Sequence, residues 1–172
     1  LLSFLEGKQI DYVGVDNSNE LLALAAERYP DKKFILSDGI NLSFGDNSFD
    51  MVWCLAVFHH LPGKELRLMF LKEVYRVLKP GGRVLISVWY LWPTLKHWRT
   101  FLKYFFLKIF GFSSLDFGDV YKNWGKIGKR FIHNFSKKEL KDILEEVGFL
   151  VEEVFFLARS SGEKNLIIIG KK

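Results

Sequence analysis

Phe49-Asp50-Met51-Val52-Trp53-Cys54-Leu55-Ala56 is a nearly continuous apolar run, and a strand of that kind is stable only where both of its faces are covered. It follows the turn signal Asp46-Asn47-Ser48. Leu66, Met69, Phe70, Val74, Val77 and Leu78 then recur at helical spacing until Lys79-Pro80-Gly81-Gly82 breaks the helix, and Val84-Leu85-Ile86-Ser87-Val88 supplies a second apolar strand. Strands that alternate with helices in this way imply a parallel sheet covered on both sides.

The alternation extends in both directions. Leu1 to Gly7 reads as the last turns of a helix closed by glycine, and Gln9 to Asp16 as a strand ending in an acid. Ser18 caps a helix over Asn19 to Arg28 that Tyr29-Pro30 stops, and Phe34-Ile35-Leu36 is a further short strand followed by the turn Asp38-Gly39. Near the other end, Ser136 with Glu139 forms a capping box ahead of the stripe Leu140, Ile143, Leu144 and Val147, which Gly148 closes. Phe149–Ala158 and Asn165–Ile169 read as two closing strands around an Arg159–Lys164 turn. The expected fold is a doubly wound, Rossmann-like α/β sheet, mostly parallel, with an antiparallel C-terminal hairpin.

At 172 residues the chain is expected to form one domain, and 49% hydrophobic with 26% charged residues excludes a disordered or fibrous protein. Cys54 is the lone cysteine, so neither an internal disulfide nor a paired-cysteine zinc site is available, and a reducing, cytoplasmic location is expected. No apolar run reaches membrane-spanning length, and the N-terminus lacks a basic secretory n-region. The absence of an initiating Met suggests a fragment. The net charge of +5 is concentrated: Tyr90 to Lys138 holds ten Lys/Arg against Asp116 and Asp119.

Acids at strand ends are the first candidates for chemistry, because ligands of open α/β sheets sit at the carboxyl ends of the strands. Asp16 can accept both hydroxyls of a ribose and Asp38 the amino hydrogens of an adenine; equally, Asp16 can cap a helix and Asp38 can form a turn. The segments Tyr12-Val13-Gly14-Val15-Asp16, Ser37-Asp38-Gly39, Asp46-Asn47-Ser48-Phe49-Asp50, Ala56-Val57-Phe58-His59-His60-Leu61 and Glu73-Val74-Tyr75-Arg76-Val77-Leu78-Lys79-Pro80-Gly81-Gly82, in this order, resemble the class I methyltransferases, in particular their UbiE-like or "methyltransferase 11" group. The resemblance implies S-adenosylmethionine as cofactor. It places Asp16 and Asn17 at the ribose, Asp38, Gly39 and Ile40 at adenine, and Cys54 and Leu55 beside the methionine portion. The family's Asp-x-Gly-x-Gly-type loop is absent from the 172 residues, so the expected domain lacks its first strand and binds the cofactor weakly by itself.

His59-His60 is not expected to bind a metal, since adjacent histidines rarely converge on one ion; by resemblance, His60 borders the substrate pocket. Lys79-Pro80-Gly81-Gly82 follows a helix and precedes a strand, the reverse of a phosphate loop, and reads as a turn. From Tyr90 to His133 the alternation stops, and this insertion is expected to form a substrate lid. Leu91, Leu95, Trp98, Leu102, Phe105 and Ile109 repeat at helical spacing opposite Lys96, Arg99 and Lys103. Such a helix can cover the sheet, lie on a membrane surface or meet nucleic acid.

Ile86-Ser87-Val88-Trp89, Asp119 to Gly125 and Lys129-Arg130-Phe131-Ile132-His133-Asn134-Phe135-Ser136-Lys137-Lys138-Glu139-Leu140 are similar to the tRNA wobble-uridine carboxymethyl methyltransferases related to the AlkB-homologue fusion enzymes. That resemblance implies methyl transfer to a carboxylate oxygen, with Trp89, Arg130 and His133 at the substrate and tRNA as partner. A small-molecule acceptor (quinone, lipid or metabolite) and a non-catalytic, methyltransferase-like partner subunit are the alternatives.

Overall fold

The computed structural model describes residues 9–91, 102, 105–106, 109–110, 116–124, 128–159 and 162–172. The chain divides into two compact units, Leu1–Ser43 and Phe44–Lys172.

The first unit is a strand, helix, strand motif. Strands β1 (Val13–Asp16) and β2 (Lys33–Leu36) pair in parallel, with Asp16 opposite Leu36, and helix α1 (Asn19–Arg28) connects them. Ser18 begins α1 as expected, its hydroxyl accepting the Leu21 amide at 3.2 Å. β1 is shorter than the run from Gln9 suggests. At Gly14 any side chain would collide with the Phe34 ring, whose nearest atom lies 2.5 Å from where a Cβ would stand. The predicted helix over Leu1 to Gly7 lies outside the described residues.

The second unit is built on a four-stranded sheet in the order β3, β4, β8, β7. β3 (Phe49–Leu55) and β4 (Leu78–Tyr90) are parallel and joined by α2 (Lys64–Val77). β7 (Leu150–Ala158) and β8 (Lys164–Lys171) form the expected antiparallel hairpin, with β8 antiparallel to β4. The apolar face of α2 presents Phe70, Leu71, Val74 and Val77 to a core that includes Val84, Ile86 and Val88 of β4 and Leu166 and Ile168 of β8. Helix α3 (Lys137–Val147) carries the full capping box of Ser136 and Glu139 and ends at Gly148 with φ 109°.

The Lys79–Gly82 segment differs from the expected simple turn. α2 does end before it, and β4 counts 13 residues from Leu78, but Gly81 sits at φ 79° and the register with β3 shifts between Leu78 and Arg83, so the segment is a bulge inside the strand rather than a free turn. The reason is a distant partner: the Lys172 amide donates to the Gly82 carbonyl at 2.9 Å and the Gly81 amide to the Lys172 carbonyl at 3.0 Å.

Within the predicted insertion, β5 (Asp119–Trp124) and β6 (Gly128–His133) form an antiparallel hairpin. Val120 and Ile132 of that hairpin bury themselves with Leu91, against Trp89. Most of the predicted basic amphipathic helix lies outside the described residues; of its stripe, Leu102, Phe105 and Ile109 are described and helical.

Candidate functional site

In the first unit the ends of two adjacent parallel strands bring Asp16 and Asp38 to one side. The Ser37 amide donates to the Asp16 carbonyl at 3.0 Å, which ties the two strand ends together. Asp16 Oδ1 accepts the Ser18 amide at 2.9 Å, while among the described residues Oδ2 has no partner. Asn17 is exposed. Asp38 Oδ1 accepts the Ile40 amide at 3.1 Å, and Gly39 sits at φ 79°, a left-handed conformation that favours glycine. Each aspartate therefore spends one oxygen on holding its own turn and presents the other. The hydrogen bonds thus give both aspartates the turn-forming role.

In the second unit β3 delivers Cys54 and Leu55 to the strand's carboxyl end. Cys54 is buried, and desolvation pushes its thiol up to about 12 despite backbone hydrogen bonds from Phe58 and Val57, so it is a neutral packing group. Leu55 is exposed, and Ala56 after it adopts φ 57°, a backbone conformation that non-glycine residues rarely take. Strain of this kind tends to persist at functional sites. Ala56 opens the Ala56–Leu61 segment, but nothing in the sequence marks its backbone conformation.

The chain then makes a single 3-10 turn, Phe58–His60, which places the two histidines differently. His60 is half-buried, and its Nδ1–H donates to the Phe131 carbonyl at 2.8 Å. His59 is fully buried, its ring 4.9 Å from that of Trp89, and its Nδ1 accepts the Trp89 amide at 3.5 Å. Desolvation lowers the pKa of both. For His59 the value falls to about 3, with His60 and the cations Arg130 and Arg159 adding to the effect. The Arg159 guanidinium stands 5.5 Å from the centre of the Trp89 ring, held by Glu163 at 3.0 Å. Trp89 and His60 thus meet, with Arg130 contributing its charge to the same place.

His133 lies elsewhere in the unit, fully buried. Its Nδ1 meets Asp119 at 2.5 Å and its Nε2 meets Glu139 at 2.7 Å, so both ring nitrogens are engaged inside the protein. Burial alone would lower its pKa, but the hydrogen bonds to Asp119 and Glu139 outweigh that and raise it. Asp119 also accepts from Arg67 Nη2 at 3.2 Å, and Arg67 Nε donates to the Leu61 carbonyl at 3.0 Å. This chain of charged groups, buried except at the part-exposed Glu139, ties α2, β5, β6 and α3 together. Sequence reading passed over Arg67, Asp119, Arg159 and the buried face of His59, because each is defined by partners from distant elements.

Among the described residues no group of three or more His, Cys, Asp or Glu could hold a metal ion, and no helix is long and apolar enough to cross a membrane.

Residues 1–86 match the protein family described as "Methyltransferase domain". Against a mouse protein, "Probable tRNA methyltransferase 9B", the chain is 37% identical over 81 residues, covering 47% of this chain and 18% of that protein. Against "Demethylmenaquinone methyltransferase" of Lactococcus lactis it is 27% identical over 175 residues, covering 93% of this chain and 68% of that one. A solved S-adenosylmethionine-dependent methyltransferase structure from Methanosarcina mazei superposes with a TM-score of 0.78 at 24% identity, over 93% of this chain and 81% of that one. The fold is therefore the Rossmann-like α/β fold expected from the strand and helix alternation.

Proposed function

The chain belongs to the S-adenosylmethionine-dependent methyltransferase family, and we propose that it methylates a carboxylate oxygen on a carboxymethylated uridine of tRNA. The chain spans less than a fifth of the mouse tRNA methyltransferase relative, so the reading is argued from its own residues. The observation that carries it is the cluster at the carboxyl end of β4, where Trp89, His59 and His60 meet the charges of Arg130 and Arg159. Such a cluster favours a planar acceptor that bears negative charge.

When bound, S-adenosylmethionine supplies a methyl group made electrophilic by its sulfonium. Within the first unit Asp16 would hold the ribose, and Asp38 with the Gly39 backbone the adenine. A carboxylate is ionised at neutral pH and already nucleophilic, so the protein needs no general base and acts by orienting the acceptor and excluding water. Arg130 would hold the acceptor carboxylate or a neighbouring phosphate. Ten basic residues between Tyr90 and Lys138 supply the attraction that a polynucleotide substrate requires.

The test is transfer of a radiolabelled methyl group by the protein carrying this chain, with carboxymethyluridine-containing tRNA and demethylmenaquinone as competing acceptors. Label in tRNA that is released by mild alkali, as a methyl ester must be, supports the reading. Label in the quinone, or alkali-stable label in tRNA, overturns it. Arg130→Ala should abolish transfer and leave cofactor binding intact.

A further inference from the structure

Among the described residues three buried side-chain atoms have no hydrogen-bond partner: His59 Nε2, Asn134 Nδ2 and Asn165 Oδ1. Buried polar atoms of folded proteins are nearly always paired, because burial without a partner is unfavourable, and an exception needs a reason. All three atoms belong to residues fastened to one place, the carboxyl end of β4. Trp89 donates its amide to His59 Nδ1. Asn165 lies directly opposite Trp89 across the β4–β8 ladder, so the two side chains share a face of the sheet. Asn134 Oδ1 accepts the amide of Leu91 at 2.9 Å.

The protonation of His59 follows from its one bond. Nδ1 accepts from a backbone N–H and therefore carries the lone pair, which leaves the proton on Nε2. Burial and the neighbouring cations keep the ring from gaining a second proton, so Nε2–H is a donor of fixed state. His60 is the opposite case: its Nδ1–H is committed to the Phe131 carbonyl, so its Nε2 is an acceptor. An enclosed donor that stands in the field of Arg130 and Arg159, the latter also paired with Glu163, is matched by an oxygen that carries negative charge.

We propose that His59 Nε2–H donates a hydrogen bond to an oxyanion, with Arg130 and Arg159 supplying the balancing charge, and that His59 thereby orients the methyl acceptor. The inference rests on reading the end of β4 as the acceptor end. The oxyanion is a carboxylate of the acceptor or a phosphate of the polynucleotide that carries it.

The experiment uses protein labelled with nitrogen-15 in histidine, titrated separately with acetate and with inorganic phosphate at constant ionic strength. The His59 Nε2–H resonance should move to saturation with at least one of the two ions. Saturation by acetate assigns the site to a carboxylate, and saturation by phosphate alone assigns it to a polynucleotide phosphate. His59→Phe keeps the ring and its burial but removes the donor; followed at the Trp89 indole, it should weaken binding by at least about tenfold, the loss expected for a hydrogen bond to a charged group. His59→Gln restores an N–H near the Nε2 position and should recover most of the affinity, which a purely structural role for the imidazole would not predict. Should His59→Phe fail to fold, Arg159→Gln tests the same site by weakening it with His59 intact. An unmoved resonance with both ions, or equal affinity in wild type and His59→Phe, overturns the proposal. Saturable binding in a protein that methylates no tRNA keeps this site and removes the function proposed above; methylation of tRNA with an inert His59 does the reverse.

Discussion

Asp119→Ala tests whether the buried charge chain through the β5–β6 hairpin holds the second unit together. Arg67 and Asp119 are 2% and 3% exposed, so removing the carboxylate strands a guanidinium where water does not reach it. Arg67 would keep its bond to the Leu61 carbonyl and its approach to the Phe135 ring at 5.4 Å, but neither neutralises its charge. His133 Nδ1 and the Asp116 amide lose their acceptor as well. Breaking a buried pair from one side costs about 3–5 kcal/mol, out of a total that is typically about 5–15 kcal/mol for a domain. Urea unfolding followed by tryptophan fluorescence should therefore show a much lower midpoint at an unchanged slope. The double variant Arg67→Met with Asp119→Leu removes the stranded guanidinium and should recover part of the loss, the share due to His133 Nδ1 and the Asp116 amide remaining. pH supplies a second readout. The folded state raises the pKa of His133, so its contribution is complete below the unfolded value near 6.5 and is lost as pH rises through the higher folded value. His133→Phe should flatten that dependence. A loss below about 1 kcal/mol for Asp119→Ala, or a double variant no more stable than the single, would refute the reasoning.

Gly14→Val should destabilise the first unit by about 1–3 kcal/mol through overpacking, since the new Cβ meets the Phe34 ring; Phe34→Leu in the same protein should return part of it, as read by thermal unfolding. Asp16→Asn keeps a carbonyl for the Ser18 amide but removes the charge offered to a ribose, so S-adenosylhomocysteine affinity measured by calorimetry should fall by about 1.5–3 kcal/mol with the circular dichroism spectrum unchanged. Cys54, with its thiol pushed up to about 12 and its side chain buried, should resist Ellman's reagent in the native protein and react at once in urea; rapid labelling of the native protein would contradict its burial.

The elements that were legible in the sequence are those whose signals are local. The Asp46–Ser48 turn, the helix from Leu66 and the Ser136–Glu139 box each lie within a few residues of what they specify, and the structure has all three, although Met69 of the expected apolar stripe is exposed and Leu78 already belongs to β4. The turn-forming role of Asp16 and Asp38 was legible for the same reason, since both are strand-end residues of a short motif. What was not legible depends on partners far along the chain. Lys79–Gly82 reads as a turn because its neighbours in sequence say so, yet Lys172, some ninety residues later, draws it into β4. Arg67 reads as one polar residue among several on α2, and only the hairpin that brings Asp119 to it makes it a buried ion. Arg130 and His133 are three apart on β6, and an odd spacing in a strand sends side chains to opposite faces. The structure has Arg130 exposed and His133 buried, so a single acceptor cannot engage both in the same way.

The same logic separates the two adjacent histidines. Successive residues of a 3-10 turn diverge by about a third of a turn, so His59 and His60 cannot share an environment even though no residue separates them. Sequence supplies two identical imidazoles; the backbone groups that reach them supply the difference. A carbonyl from β6 fixes the proton of His60 on Nδ1, and an amide from β4 fixes that of His59 on Nε2. The rings therefore offer opposite hydrogen-bonding character at Nε2, an acceptor on the half-buried ring and a donor on the buried one. A pair of this kind can distinguish a ligand oxygen from a ligand N–H without either ring changing charge. Exchanging the two roles would require moving β4 relative to β6, not merely substituting a side chain, which is why the adjacent His59→Gln and His60→Gln replacements should affect oxyanion binding unequally, the first modestly through its retained donor and the second chiefly through the lost contact with Phe131.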